Sequence, residues 1–188
     1  MKQVFDNLRA DFSRNISIYY RYKGYWRKYF TIFFNFGCVA LIVYRFGKWA
    51  MNIKIPLVGH FLLFLYYIPK FFVLLFFGTD IVLRTDIGKG FIIHNFQGIM
   101  INAKKIGENC TVNQGVMIGA VIESGPNPPV IGNNVYFGAG CIVLGDITIG
   151  NNVTIGANSL VINSVSDNCT VIGVPARVVS YHKEIKNI

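Results

Sequence analysis

Histidine is the side chain best suited to move protons near neutral pH, because its ordinary pKa lies close to working pH. The chain has three: His60, His94 and His182. His60 lies in a long apolar run and His182 near the C-terminus, whereas His94 stands in IIHNFQG, among β-branched residues and glycines. There is no Gly-x-Ser-x-Gly, no P-loop and no Gly-x-Gly-x-x-Gly after a strand, so nucleophilic-serine and nucleotide-phosphate chemistry lack their motifs. The four cysteines, Cys38, Cys110, Cys141 and Cys169, show no CxxC or Cys/His spacing, and no metal site is expected. They are read as reduced core residues, in keeping with the cytosol.

What must position His94 is a chain that repeats every six residues. Residues 131–166 divide into IGNNVY, FGAGCI, VLGDIT, IGNNVT, IGANSL and VINSVS. The first places hold large apolar side chains, and the fifth places hold small or β-branched ones. Six fits neither the 3.6 period of a helix nor the alternation of a simple strand. It fits a chain that forms a short strand, turns a corner and repeats, so that three faces of about 18 residues close one triangular coil. Coils would then stack at the strand spacing of about 4.8 Å. The paired asparagines Asn133-Asn134 and Asn151-Asn152 suit the corners, since Asn tolerates left-handed backbone. Traced backward, the leading places become Ile118, Val112, Ile106, Ile99, Ile93, Ile87 and Ile81, with a seven-residue step from Ile99 to Ile106. The thirteen-residue step from Ile118 to Ile131 holds a protruding loop rich in Ser, Gly, Asn and Pro. His94 falls in the second place of its six, a slot held elsewhere by Gly107, Gly132, Gly150 and Gly156. It is therefore predicted to stand at a corner and point outward, towards a groove or a neighbouring subunit.

The segment before the coils has a different composition. The chain is 53% hydrophobic with a net charge of +9, and residues 1–54 carry ten Lys/Arg against Asp6 and Asp11. Residues 1–28 suggest a helix, with Val4, Phe5, Leu8 and Phe12 at helical spacing, and residues 17–26 mix tyrosines and a Trp with cations. Residues 29–44 are uncharged but span only about 24 Å as a helix, short of a bilayer core. A second apolar run, 55–77, contains His60, Pro69 and Lys70. The basic connector 45–54 opposes a spanning hairpin. Cations interleaved with aromatic and apolar side chains point to helices lying on an anionic membrane face rather than to nucleic acid, with a re-entrant or spanning pair and a soluble helical subdomain as the alternatives. No secretory signal is expected. The domain reading is a basic, apolar helical segment over 1–78, a β-helix over 79–179 and a tail over 180–188.

The motifs DIGKGFIIHNFQGIMIN, KIGENCTVNQGVMIG and VIGNNVYFGAGCIVLGDITIGNNVTIGANSLVINSV, with GVPARVV, resemble the serine acetyltransferase family of left-handed parallel β-helix enzymes. The likeness is nearest to the branch that O-acetylates bacterial exopolysaccharide, the colanic acid type. It implies a mainly β, left-handed hexapeptide β-helix, against the usual right-handed crossover tendency. It also implies acetyl-CoA as donor and a homotrimer with sites between subunits. In that family a histidine near the first coils is the general base and an upstream aspartate orients it. Asp80 matches the aspartate. An ungapped match on Gly98 puts the family histidine at Asn95, with His94 one place earlier. Asn cannot be a base, so either a one-residue shift lets His94 serve, or water and His94 share the task, or catalysis is lost at Asn95; His94 is the expected base. The family's CoA arm implies Gly119, Gly138, Ala139, Ala157 and Arg177 as donor contacts. The loop 123–129 lacks the second histidine of the serine enzymes. The resulting expectation is an O-acetyltransferase acting on a sugar hydroxyl of a polysaccharide or lipid-linked glycan, on the cytosolic face of the cell membrane. A serine O-acetyltransferase of cysteine biosynthesis and an inactive trimeric membrane scaffold are the alternatives.

Overall fold

The computed structural model describes residues 2–19, 36–120 and 127–182. Among the described residues three helices precede the stacked coils: α1 (Lys2–Tyr19), α2 (Phe36–Met51) and α3 (Pro56–Phe77). Pro56 opens α3, where its missing N–H costs nothing, and Gly78 ends it in the left-handed conformation (φ 58°), donating to the Leu74 carbonyl at 2.9 Å.

Among the described residues fifteen short strands follow: β1 (Asp80–Ile81), β2 (Asp86–Ile87), β3 (Ile92–Ile93), β4 (Met100–Ile101), β5 (Lys105–Ile106), β6 (Thr111–Val112), β7 (Met117–Gly119), β8 (Val130–Ile131), β9 (Tyr136–Phe137), β10 (Ile142–Leu144), β11 (Thr148–Ile149), β12 (Thr154–Ile155), β13 (Leu160–Val161), β14 (Cys169–Gly173) and β15 (Ala176–Tyr181). They form three sheets with orders β1-β4-β7-β10-β13, β11-β8-β5-β2 and β15-β14-β12-β9-β6-β3. Every pairing except β14–β15 is parallel between one coil and the next, and up to β13 each successive strand belongs to the next face; between β13 and β14 the next face holds only the bridge Ile149–Val165. That is the three-sided prism the sixfold spacing predicts. The inward columns are Ile81–Ile101–Ile118–Val143–Val161, Ile87–Ile106–Ile131–Ile149 and Ile93–Val112–Phe137–Ile155–Val171. All are buried, and each removes one large apolar side chain per face from water.

The register of the second coil departs from the sequence reading. Ile101, not Ile99, pairs with Ile81 and Ile118. Ile99 fills the slot occupied in higher coils by Val116, Cys141 and Ser159, because Met100, Met117 and Ile142 donate in sequence to Val116, Cys141 and Ser159. The extra chain therefore lies in the corner holding His94. Cys110 and Cys141 are buried inward residues as expected, and neither forms a disulfide.

The helices meet the first coil through polar contacts as well as apolar ones, Leu41, Tyr44 and Val73 sharing one core with Ile81, Ile87 and Ile93. On α1 the buried side chains are Asp11 (1% exposed) and Asn15, while Phe5 is 59% exposed, so the apolar spacing did not mark the packed face. Asp11 pairs with Arg45 at 3.0 Å and accepts from the Phe91 N–H at 2.8 Å; Arg45 also donates to the Ile87 carbonyl at 2.6 Å. Arg14 donates to the carbonyls of Gly90 (2.6 Å) and Cys110 (3.0 Å) and to Thr111 Oγ1 (3.0 Å). Two of the N-terminal cations thus serve the interior and not a surface field. The aromatic stretch 20–26 and residues 29–35 lie outside the described residues. Helix gives way to coil between Phe77 and Asp80, and β15 extends to Tyr181, beyond the boundary predicted at 179.

Candidate active site

His94 follows β3 (Ile92–Ile93) and opens the corner that leads to β4 (Met100–Ile101). Its backbone N–H donates to the Val112 carbonyl at 2.9 Å, which fixes the residue against the coil above. The ring is half-buried, and its pKa is lowered, first by burial and then by the positive charge of Arg14. A lowered pKa keeps the imidazole neutral at neutral pH, the state a general base requires. His60 lies on α3 with Nδ1 2.6 Å from the Pro56 carbonyl, and His182 Nε2 lies 3.0 Å from Thr170 Oγ1, both away from this corner.

The same corner recurs in the next coils as Asn113–Gly115, Gly138–Gly140 and Gly156–Asn158. The Gly115, Gly140 and Asn158 N–H groups donate to the carbonyls of Gln97, Gln114 and Ala139, each within 2.9 Å. The predicted donor contacts Gly138, Ala139 and Ala157 therefore stand on one edge with His94. Asn95 is exposed and donates through Nδ2 to Gln114 Oε1 at 2.8 Å, linking the first two coils. Gln114 carried no sequence signal; only stacking brings it to Asn95. Arg177 is exposed on β15, the antiparallel strand that covers the last coil, opposite Ile172.

Glycine has two different reasons to occur here. At Gly138 a Cβ would lie 2.5 Å from the Ala157 nitrogen and 2.7 Å from the Gly156 carbonyl carbon, so packing alone demands it. At Gly119 a Cβ would meet only Leu144 Cδ2 at 3.7 Å, ordinary contact. Packing does not require Gly119, which lies at the far end of the face that begins at the His94 corner and leaves room for a ligand to approach the backbone.

Asp80 opens β1, and its N–H donates to the Ile99 carbonyl at 2.7 Å, at the exit of the His94 corner. Its carboxylate lies 3.0 Å from the Lys70 ammonium on α3. Among the described residues no group of three or more His, Cys, Asp or Glu side chains could hold a metal ion.

The bacterial transferase hexapeptide family (six repeats) matches residues 128–163. Hexapeptide relatives extend the likeness. The chain is 37% identical over 145 residues to a serine acetyltransferase of Synechococcus elongatus, covering 76% of this chain and 57% of the relative. It is 43% identical over 104 residues to WcaB of Escherichia coli, provisionally named a colanic acid biosynthesis acetyltransferase, covering 55% of this chain and 64% of that protein. The chain thus spans less than two thirds of either curated relative. Among solved structures, a serine acetyltransferase from Brucella abortus in complex with coenzyme A superposes with a TM-score of 0.78 at 27% identity, covering 97% of this chain and 70% of that one. The Neisseria gonorrhoeae serine acetyltransferase in complex with serine gives 0.76 at 28% identity, covering 95% and 70%. The three parallel sheets and these neighbours fit a left-handed hexapeptide β-helix.

Proposed function

We propose that the protein is an acetyl-CoA-dependent O-acetyltransferase whose acceptor is a sugar hydroxyl of a polysaccharide or lipid-linked glycan. The observation that carries this reading is a half-buried imidazole, biased towards neutrality, at the foot of an edge lined by Gly138, Ala139 and Ala157. His94 takes the proton of the acceptor hydroxyl, and the oxygen attacks the thioester carbonyl carbon. The carbon–sulfur bond breaks, and the imidazolium returns its proton to the departing sulfur. Gly119, Gly138, Ala139, Ala157 and Arg177 are assigned to the donor and Asp80 to orienting the base, on the strength of the family resemblance.

The membrane part of the proposal rests on α3, long and apolar enough to cross a membrane by length and composition. Leu57 (84% exposed), Phe61, Phe64, Phe71 and Leu75 point away from the protein, and only Gly59, Tyr66 and Val73 are buried. Such a surface has no stable place in water, so we assign it to the inner face of the cell membrane, where a lipid-linked acceptor is at hand. For the homotrimer, support comes from the outer side of the β1 face, where Met100 and Met117 are exposed one above the other.

A serine acetyltransferase is the second reading, favoured by the named relatives in Synechococcus elongatus and Neisseria gonorrhoeae. Thiol release from acetyl-CoA decides between them. Turnover with L-serine alone, equal to that with a glycan acceptor, would overturn the glycan reading. His94→Ala is expected to lower turnover about 10²- to 10⁴-fold, and wild-type turnover would remove His94 from the mechanism. No measurable CoA affinity by calorimetry would favour the scaffold, for which Asn95 is the supporting residue.

A further inference from the structure

The corner carrying His94 is longer than its counterparts. Ile93, Val112 and Phe137 are paired in register, and Gly98, Gly115 and Gly140 share φ values of 68°, 69° and 68°. Between these fixed points the second and third coils hold Asn113-Gln114 and Gly138-Ala139, whereas the first holds His94-Asn95-Phe96-Gln97. Gly115 donates to Gln97 and Gly140 to Gln114, both at 2.8 Å, so Gln97 occupies the Gln114 level. Asn95 and Phe96 are therefore the added pair, immediately after the candidate base. Extra chain at a corner costs order unless something holds it.

Phe96 is held from outside the prism. Its ring lies 5.0 Å from Phe77 at 76° and 4.9 Å from Phe36 at 66°, and those two rings are 4.6 Å apart. Phe77 is the last residue of α3 and Phe36 the first of α2. The backbone is tied at the same point: Thr79 Oγ1 donates to the Phe96 carbonyl, and the Gly98 N–H to the Phe77 carbonyl at 3.2 Å. Next to Phe36, a Cβ on Gly37 would stand 2.4 Å from the Ile93 carbonyl oxygen, so the start of α2 rests on the strand that delivers His94. Edge-on aromatic contacts of this kind add specific geometry to apolar burial.

We propose that Phe96 is a positioning residue: clamped between the ends of the two apolar helices, it sets the corner from which His94 reaches the acceptor. The proposal rests on His94 being the base, and it makes the helical segment part of the site's geometry as well as an anchor. Displacement of a catalytic group by about 1 Å can cost about 10²-fold in rate. Phe96→Ala should therefore lower kcat about ten- to a hundredfold, with KM for acetyl-CoA within about twofold. The His94 ring, followed by NMR titration in the full chain, should titrate closer to its ordinary value as the corner opens. Phe96→Tyr should restore both, and Phe77→Leu, which removes one jaw of the clamp, should reproduce the loss more weakly. A Phe96→Ala protein with wild-type kcat and an unmoved His94 titration would overturn the proposal, as would a kcat loss that only follows the folded fraction. If His94→Ala keeps full turnover, the base reading fails by itself. The His94 titration in Phe96→Ala still decides whether Phe96 positions the ring.

Discussion

The Asp80 carboxylate lies 3.0 Å from the Lys70 ammonium, so the aspartate assigned to the base already has a cation from the apolar helix as partner. Both side chains are about a quarter to a third exposed. This pair joins α3 to the first coil at the exit of the His94 corner. Asp80→Asn is expected to lower kcat, and Lys70→Met to change it less. If orientation of His94 passes through this pair, the double variant should show a coupling of about 0.5–3 kcal/mol in activation free energy; additive effects would separate Lys70 from the chemistry.

The pH profile follows from His94. Burial and Arg14 lower its pKa, so the neutral, proton-accepting form persists below pH 6.5 and is lost only as pH falls through the lowered value. The acid limb of kcat/KM should lie below 6.5. Arg14→Gln removes the positive charge and should move that limb upward, towards 6.5.

The Asp11–Arg45 pair is buried, at 1% and 3% exposure. Asp11→Ala leaves Arg45 buried and charged without its carboxylate partner and should cost about 3–5 kcal/mol by denaturant midpoint. Arg45→Met with Asp11→Leu should recover most of that loss.

Two glycines should respond oppositely. Gly138→Ala drives a methyl into the backbone of the next coil and should destabilise by about 1–3 kcal/mol in thermal melts. Gly119→Ala meets only ordinary contact, so its melting temperature should stay near wild type while KM for acetyl-CoA rises.

Met117→Glu places charge on the exposed apolar ladder with Met100. If this face joins subunits, sedimentation should show smaller species at equal concentration. An unchanged mass would assign the ladder to another role.

The repeat was legible because each large side chain of a short strand must face inward, and six residues bring the next one to the same place on the next face. The column Ile131–Ile149 and the inward cysteines Cys110 and Cys141 could be read directly. The register at Ile99 could not. Both Ile99 and Ile101 are apolar, and only hydrogen bonding to the coil above separates the inward column from the small slot. The packed face of α1 was hidden for a related reason: Asp11 and Arg14 look like solvated charges until their partners from α2 and the coil, distant in sequence, are seen.

The sequence alone determined a three-sided coil, the corner place of His94 and the apolar character of α3, since each depends on local spacing and composition. Tertiary structure decided what surrounds His94: the Phe36–Phe77–Phe96 clamp, the Lys70–Asp80 pair and the Asn95–Gln114 bond. Those contacts join residues up to 60 positions apart, from Phe36 to Phe96. Side chains that far apart meet only after the helices dock and the coils stack, so no local pattern in the chain encodes them.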